Sequence, residues 1–470
     1  MDGLLELVKS INGILWGAPM MIILAGFGVF ATVYLGFPQF RRFGKGFKQA
    51  FGGIFSKDKK QNKEGSMSSF QSLATAVAAQ VGTGNIGGVG TAIVAGGPGA
   101  IFWMWLLAIL GMATISVEAM LAQKYREKRN GELVGGPAYY ISKGLKAKGM
   151  GGLGKGLAAF FAIMIIIALG FIGNMVQSNS ISGALNSAFG ANTLIVGIIL
   201  AVIAGLIFIG GMKRIAKFTE LIVPFMAILY IIGAIAILIK FNDMIIPVLK
   251  AIFKGAFTSE AVLGGTAGFA VKEAIRYGVA RGLFSNEAGM GSTPNSHAVA
   301  DVGHPAEQAM VAMVGVFMDT IVICSATALI VMMTGAHTSG AEGVDIAMKG
   351  FEVAFGGIGA KFLAVALMFF AFTTVIGWYY FGEANIKYLF NSKPAVRVYQ
   401  VVVLGFIVLG STLKVELVWQ LADMFNGLMV IPNVIGLFFL VKEAKQLFND
   451  YDNQVKLGRG LHYDYPYEDK

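Results

Sequence analysis

The strongest constraint on this chain is a repeated one. Stretches of about twenty predominantly apolar residues, the length that crosses a bilayer as a helix, recur near 13–37, 70–96, 98–124, 156–187, 192–212, 217–240, 261–282, 306–335, 358–390, 396–413 and 416–441. Lipid offers a spanning backbone no hydrogen-bond partner, so apolar runs of this length read as helices. The expectation is an all-α polytopic membrane protein with about eleven transmembrane helices. The run at 11–37 is too long for the core of a signal peptide, and Asp2 and Glu6 precede it against a single Lys9, so it counts as the first crossing. With 56% hydrophobic and 14% charged residues, the chain is far more apolar than an ordinary soluble domain.

Charge sets an orientation. Arg41, Arg42, Lys45, Lys48, Lys57, Lys59, Lys60 and Lys63 crowd the first connection, and basic residues return at Lys124–Arg129, at Lys213, Arg214 and Lys217, and at Lys387, Lys393 and Arg397. The alternate connections carry Asp243, Glu260, Glu342, Asp345 and Glu352 instead. The positive-inside rule then predicts an outside N-terminus and a cytoplasmic C-terminus. The basic residues of the tail, Lys442, Lys445 and Lys456, read as an anchor at the inner membrane surface. The net charge of +10 lies between apolar segments without interleaved aromatics, which argues against nucleic acid and for the lipid bilayer as the partner. Cys324 is the single cysteine, and the four histidines lie outside the apolar cores. A cysteine framework or an intramembrane histidine metal site is thereby excluded.

With 1–40 set aside as an extra N-terminal helix and 41–69 as a basic loop, ten helices remain. They divide into 70–240 and 261–441, with 442–470 as a tail, and an odd count per half gives the halves opposite orientation. This is the arithmetic of an inverted repeat. The first helix of each half is expected to be broken. In the first, Gly82, Gly84, Gly87 and Gly88 surround Gln80, Thr83 and Asn85; in the second, the candidate break is Gly264-Gly265-Thr266-Ala267-Gly268-Phe269. The run Gly82–Gly87 matches a dinucleotide fingerprint in form only, because no strand precedes it and no acidic residue follows at the required spacing. Close helix packing at small residues explains the glycines but not the polar residues among them.

Paired breaks suit a zwitterion. Half-helix N-termini offer N–H groups and partial positive charge, and C-termini offer carbonyls and partial negative charge. An amino-acid carboxylate would bind near Thr83 and Gly84, and its ammonium near Gly264 to Ala267. Asn174 and Gln177 add polar groups in an otherwise apolar crossing, Gln80 and Gln177 lie near the pocket, and Phe171 and Phe269 are expected to cap it. A sodium ion needs hard oxygen ligands, and Thr373 and Thr374 supply adjacent hydroxyls. Glu118, Glu273, Asp319, Glu383 and Asp423 are ionisable residues in or near crossings, each a functional candidate.

Two blocks carry a family resemblance. Gly96-Gly97-Pro98-Gly99-Ala100-Ile101-Phe102-Trp103-Met104-Trp105 with Gly111-Met112, and Arg281-Gly282-Leu283-Phe284-Ser285-Asn286-Glu287-Ala288-Gly289-Met290-Gly291-Ser292, resemble signatures of the alanine or glycine:cation symporter family. That family belongs to the amino acid, polyamine and organocation group. The resemblance implies the leucine-transporter fold: a five-plus-five core with one extra helix in front. It further implies sodium ligands at the carbonyls of Ala78, Val81 and Phe370 and the hydroxyls of Thr373 and Thr374, with Asn85 and Thr266 near a second ion. The expected activity is sodium-coupled import of alanine and glycine by alternating access, without covalent chemistry or an organic cofactor. The alternatives are a proton-coupled symporter or exchanger on the same fold and, more remotely, a channel or a membrane-embedded enzyme.

Overall fold

The computed structural model describes residues 2–52, 65–129, 131–258, 267–413, 415–458 and 460–465, with side chains described at all of these except 2, 267–270, 415 and 416. Helices dominate, and a helix stands at each expected crossing. Among the described residues, eight are long and apolar enough to span a membrane: Gly3–Tyr34, Gly99–Lys124, Gly151–Phe189, Gly211–Lys240, Pro305–Met333, Gly357–Phe390, Lys393–Thr412 and Leu417–Lys456. The remaining positions fall short for separate reasons. Ser69–Gly96 is interrupted, Thr193–Phe208 has 16 residues, and Ala267–Asn286 carries Lys272, Glu273, Arg276 and Arg281.

The molecule is apolar outside and polar within. Ile198, Val202 and Leu206 of Thr193–Phe208, Leu221, Ile228 and Ile235 of Gly211–Lys240, and Val398 and Val401 of Lys393–Thr412 are exposed. Asn85, Glu118, Asn174, Asp319, Thr373 and Thr374 are buried. An apolar face needs no cover where lipid is the solvent, whereas buried polar groups at that depth must find partners in the protein.

The two broken helices run antiparallel side by side. Met67 and Ala300 form a bridge at one end, with Met67 N–H donating to Val299 O at 3.0 Å. Higher up, Ser72 Oγ donates to Ser296 O at 2.8 Å and Gln80 Nε2 to Asn286 O at 2.6 Å. Beyond that level Gly84 faces Phe284 and Ser285, Gly88 faces Arg281, and Gly96 faces Glu273 and Tyr277. Three crossings are π-wound over one segment each, at Gly84–Gly88, Ile166–Gly173 and Phe317–Cys324. Such segments leave backbone groups unpaired and collect at functional sites.

The basic connections gather on one face. There Arg42 pairs with Asp452, Lys124 with Glu443, and Lys387 with Glu132 of the short hairpin Glu127–Arg129/Glu132–Val134. The last helix continues to Lys456, and the tail folds back so that Tyr465 lies beneath the Arg126 guanidinium, 3.9 Å from ring centroid to carbon.

Candidate functional site

The first break is narrow. Ser69–Gln80 starts with a capping box between Ser68 and Gln71 and stops at Val81, whose φ of −84° and ψ of 91° are extended. The Gly82 N–H that would close the last turn onto Ala78 donates instead to Asn85 Oδ1 at 2.9 Å. A Cβ on Gly82 would lie 2.5 Å from Thr374 Oγ1, so only glycine fits. The chain resumes helical winding at once through Gly84–Gly88 into Val89–Gly96.

Oxygens converge on this break. Thr374 Oγ1 lies 3.0 Å from Ala78 O, 3.3 Å from Val81 O and 3.0 Å from Phe370 O. Thr373 Oγ1 donates to Phe370 O at 2.9 Å, with Met226 Sδ 3.3 Å away. One hydroxyl proton cannot serve three carbonyls at once. The cluster is therefore rich in lone pairs and poor in protons. Ala78, Val81, Phe370, Thr373 and Thr374, all buried, bring neutral hard oxygens together, a donor set suited to a small hard cation. Among the described residues no group of histidine, cysteine or carboxylate side chains is placed to hold a metal.

A second break among the described residues is wide, and it follows the helix Ala267–Asn286. Gly264 and Thr266 fall outside the described residues, while Gly268 and Phe269 stand in the first turn of the continuous helix Ala267–Asn286. The side chain of Phe269, expected to roof the pocket, lies outside what is described. The helix stops instead at Asn286. Glu287, Gly289 and Gly291 take φ values of 56°, 90° and 83°, and a short helix Pro294–His297 follows. The Gly-Gly-Thr-Ala-Gly run suggested a break by composition. The break after Asn286 depends on left-handed backbone, including the non-glycine residue Glu287, that a glycine count does not reveal.

Around the breaks, amides are already engaged. Gln177 Oε1 accepts from Thr83 N–H at 3.3 Å, at the start of the second half-helix. Gln80 Nε2 donates to Asn286 O, at the end of Ala267–Asn286. Asn85 donates through Nδ2 to Asp319 Oδ1 at 2.6 Å while its Oδ1 holds Gly82. Asn174 spends Nδ2 on Gly170 O at 2.9 Å. Gln80 Oε1, Thr83 Oγ1 and Asn174 Oδ1 are buried without a hydrogen-bond partner. Phe171 is placed away from this centre: its ring stacks on Phe406 at 5.0 Å and, with Tyr399 and the exposed Phe390 and Val398, lines a peripheral groove of about 300 Å³. Its ring therefore lies apart from the breaks it was expected to cap.

Several residues of the centre were not among the expected ligands. Asp319 accepts from Asn85, from Thr320 Oγ1 at 2.7 Å and from Ser285 Oγ at 3.0 Å. Asn286 Nδ2 donates to Thr320 Oγ1 at 3.2 Å, and Trp378 Nε1 donates to Glu287 Oε1 at 2.7 Å. The signal for Ser285, Asn286 and Glu287 was present in the second signature block, and for Asp319 in the presence of a carboxylate within an apolar run.

Comparison with known proteins shows the family. The model of the sodium:alanine symporter family matches residues 1–464. The sodium/alanine symporter AgcS of Methanococcus maripaludis is 43% identical over 460 residues, covering 96% of this chain and 99% of that one. The probable sodium/glutamine symporter GlnT of Bacillus subtilis is 42% identical, covering 98% and 93%. Among solved structures, a manganese transporter of Eremococcus coleocola shares the fold with a TM-score of 0.51 at 14% identity, covering 84% of this chain and 81% of that one. The relatives are membrane carriers rather than enzymes, and with matches of this length and identity the chain belongs to the sodium:alanine symporter family.

Proposed function

We propose that this protein is a sodium-coupled symporter that imports small neutral amino acids, alanine and glycine, by alternating access around the paired breaks. The observation that carries this reading is the convergence of the Ala78, Val81 and Phe370 carbonyls on the Thr374 hydroxyl, with the Thr373 hydroxyl 2.9 Å from the same Phe370 carbonyl. Two of these residues lie on the first broken helix and three on Gly357–Phe390. A sodium ion bound among them ties one half of the chain to the other. Its release frees the two to part, which is the mechanical requirement of a carrier whose halves rock about a central site. The proposed core is the five-plus-five arrangement of eleven crossings, with the basic face cytoplasmic and the N-terminus outside.

The amino acid has a place at the same level. Gln177 Oε1 accepts from Thr83 N–H as a substrate carboxylate oxygen would, at the positive end of a half-helix. Gln80 Nε2 donates to Asn286 O as an ammonium would, at the negative end of another. The two glutamines thus stand in for the two ends of a zwitterion. The unpartnered oxygens of Gln80 and Thr83 add acceptors for an ammonium or a cation. A proton-coupled cycle is the second reading, favoured by the Asp319 carboxylate buried beside Asn85.

The test is uptake of labelled alanine into proteoliposomes under an inward sodium gradient, compared with an inward proton gradient. Unlabelled glycine and glutamine serve as competitors. Sodium-driven accumulation blocked by glycine supports the proposal. Accumulation driven by protons alone transfers coupling to the carboxylates, and blockage by glutamine but not glycine moves the substrate class.

A further inference from the structure

The wide break presents a backbone problem. A chain that leaves helical winding at bilayer depth exposes N–H and C=O groups that only protein can satisfy. At the centre of the break, Gly289 is satisfied from outside its own helix. Its N–H donates to Glu118 Oε2 at 3.0 Å, and its carbonyl accepts from Asn433 Nδ2 at 2.9 Å. The two side chains are also joined to each other, Asn433 Nδ2 to Glu118 Oε1 at 2.6 Å, and Tyr140 Oη donates to Asn433 Oδ1.

These groups come from three separate helices. Glu118 belongs to Gly99–Lys124, Asn433 follows Pro432 in Val415–Lys456, and Tyr140 belongs to Pro137–Ala147. All three residues are fully buried. The fit around the loop is close: a Cβ on Gly291 would meet Pro137 at 2.7 Å, Phe161 at 2.8 Å and Asn433 at 2.9 Å. A carboxylate is an expensive way to accept hydrogen bonds inside a membrane protein, and no described cationic side chain is paired with Glu118. Its geometry explains its presence. A carboxylate has two acceptor oxygens and can receive the Gly289 N–H and the Asn433 amide together, whereas the amide of glutamine would set a donor against one of them.

We propose that Glu118 and Asn433 are positioning residues for the amino-acid site. They hold the second break so that the Asn286 carbonyl, three residues before Gly289, faces the first broken helix. The proposal rests on the reading that the breaks bind the amino acid. Neither residue touches the substrate; each acts through the Gly289 peptide.

The test is a double-mutant cycle on the full chain with Glu118→Gln, Asn433→Asp and both together. It is read as the alanine concentration for half-maximal uptake at saturating sodium, alongside hydrogen exchange of the peptide covering 284–296. Each single variant places like groups against each other and is expected to raise that concentration about tenfold, the usual effect of one unsatisfied buried group. Exchange at Gly289–Ser292 is expected to speed up by a similar factor. In the double variant the amide introduced at position 118 can donate to the carboxylate introduced at position 433 and keep its oxygen for the Gly289 N–H. The loss is then expected to be no larger than in either single variant. Tyr140→Phe, which removes only the hydroxyl that orients Asn433, is expected to raise the concentration about threefold and serves if a charged-pair variant does not fold.

Wild-type affinity in the single variants, or losses that multiply in the double variant, overturns the proposal. So does unchanged exchange at 284–296 in Glu118→Gln. If wild-type protein shows no alanine uptake while exchange responds as expected, the substrate reading fails and the clamp remains.

Discussion

The two breaks lie at one level and are built in opposite ways. The first opens over Val81 and Gly82 alone and is held by neutral hydroxyls, which leaves carbonyl oxygens facing inward. The second runs from Glu287 to Thr293 through three left-handed residues and is held by an acid and an amide from other helices. A tight turn that bunches carbonyls suits a small cation. A wide one that exposes a helix end to a neighbouring half-helix suits a larger, two-ended ligand. Coupling then follows from adjacency, since Asn85 joins the first break at Gly82 to Asp319, which in turn holds Ser285 at the second.

The largest effects are expected from filling either break with one methyl group. Gly82→Ala places a Cβ 2.5 Å from Thr374 Oγ1 and should abolish sodium-driven uptake. Gly291→Ala adds strain at a φ of 83° to contacts below 3 Å, and should lower alanine affinity by about a hundredfold or more while sparing sodium-induced thermal stabilisation. If both variants lose sodium and alanine responses alike, the division of labour is wrong. Asp319→Asn tests the link between the breaks. It removes the charged acceptor shared by Asn85 Nδ2, Ser285 Oγ and Thr320 Oγ1 and replaces one of its oxygens by a donor, and the half-saturating concentrations of sodium and alanine should both rise about tenfold.

Thr373→Ala should have a smaller effect, about three- to fivefold in sodium alone, because its hydroxyl reaches only Phe370 O and Met226 Sδ. Glu127→Gln, on the hairpin of the basic face, should leave both concentrations within about twofold. Burial alone would push the Glu127 carboxyl up, but Lys143 and Arg129 outweigh it and hold it below the usual range. A depressed carboxyl stabilises the fold above its unfolded value of about 4.3 and loses that contribution as pH falls through the folded value. The small melting-temperature deficit of Glu127→Gln should therefore be present at pH 7 and fade as pH falls from about 4.3 through the lower folded value, which a thermal scan into acid checks.

Much of this was legible in sequence for a physical reason. Apolar length and charge placement fix where helices can stand, and Gly82 flanked by Gln80, Thr83 and Asn85 marked a break no lipid-facing helix would carry. The carbonyls of Ala78, Val81 and Phe370 followed from the family pattern; in the structure all three lie within hydrogen-bond distance of the Thr374 hydroxyl, and Thr373 reaches only that of Phe370. The expected break at Gly264 to Phe269 falls mostly outside the described residues, and the break after Asn286, some twenty residues on, was not foreseen. Glu287 holds a positive φ while its carboxylate accepts from Trp378 and Ser292, partners that local pattern does not reveal. Phe171 lies in the π-wound segment Ile166–Gly173, which no breaking residue announces, and its ring packs on Phe406 away from the breaks.

The most direct test of the account is equilibrium binding of labelled alanine to purified protein as a function of sodium, for wild type and Thr374→Val. The valine keeps the side-chain shape and removes the hydroxyl that faces Ala78, Val81 and Phe370. The account predicts that half-saturating sodium rises at least about tenfold, while alanine binding at saturating sodium returns to the wild-type level. An unchanged sodium curve, or a loss of alanine binding that sodium does not restore, would contradict the assignment of the first break to the ion.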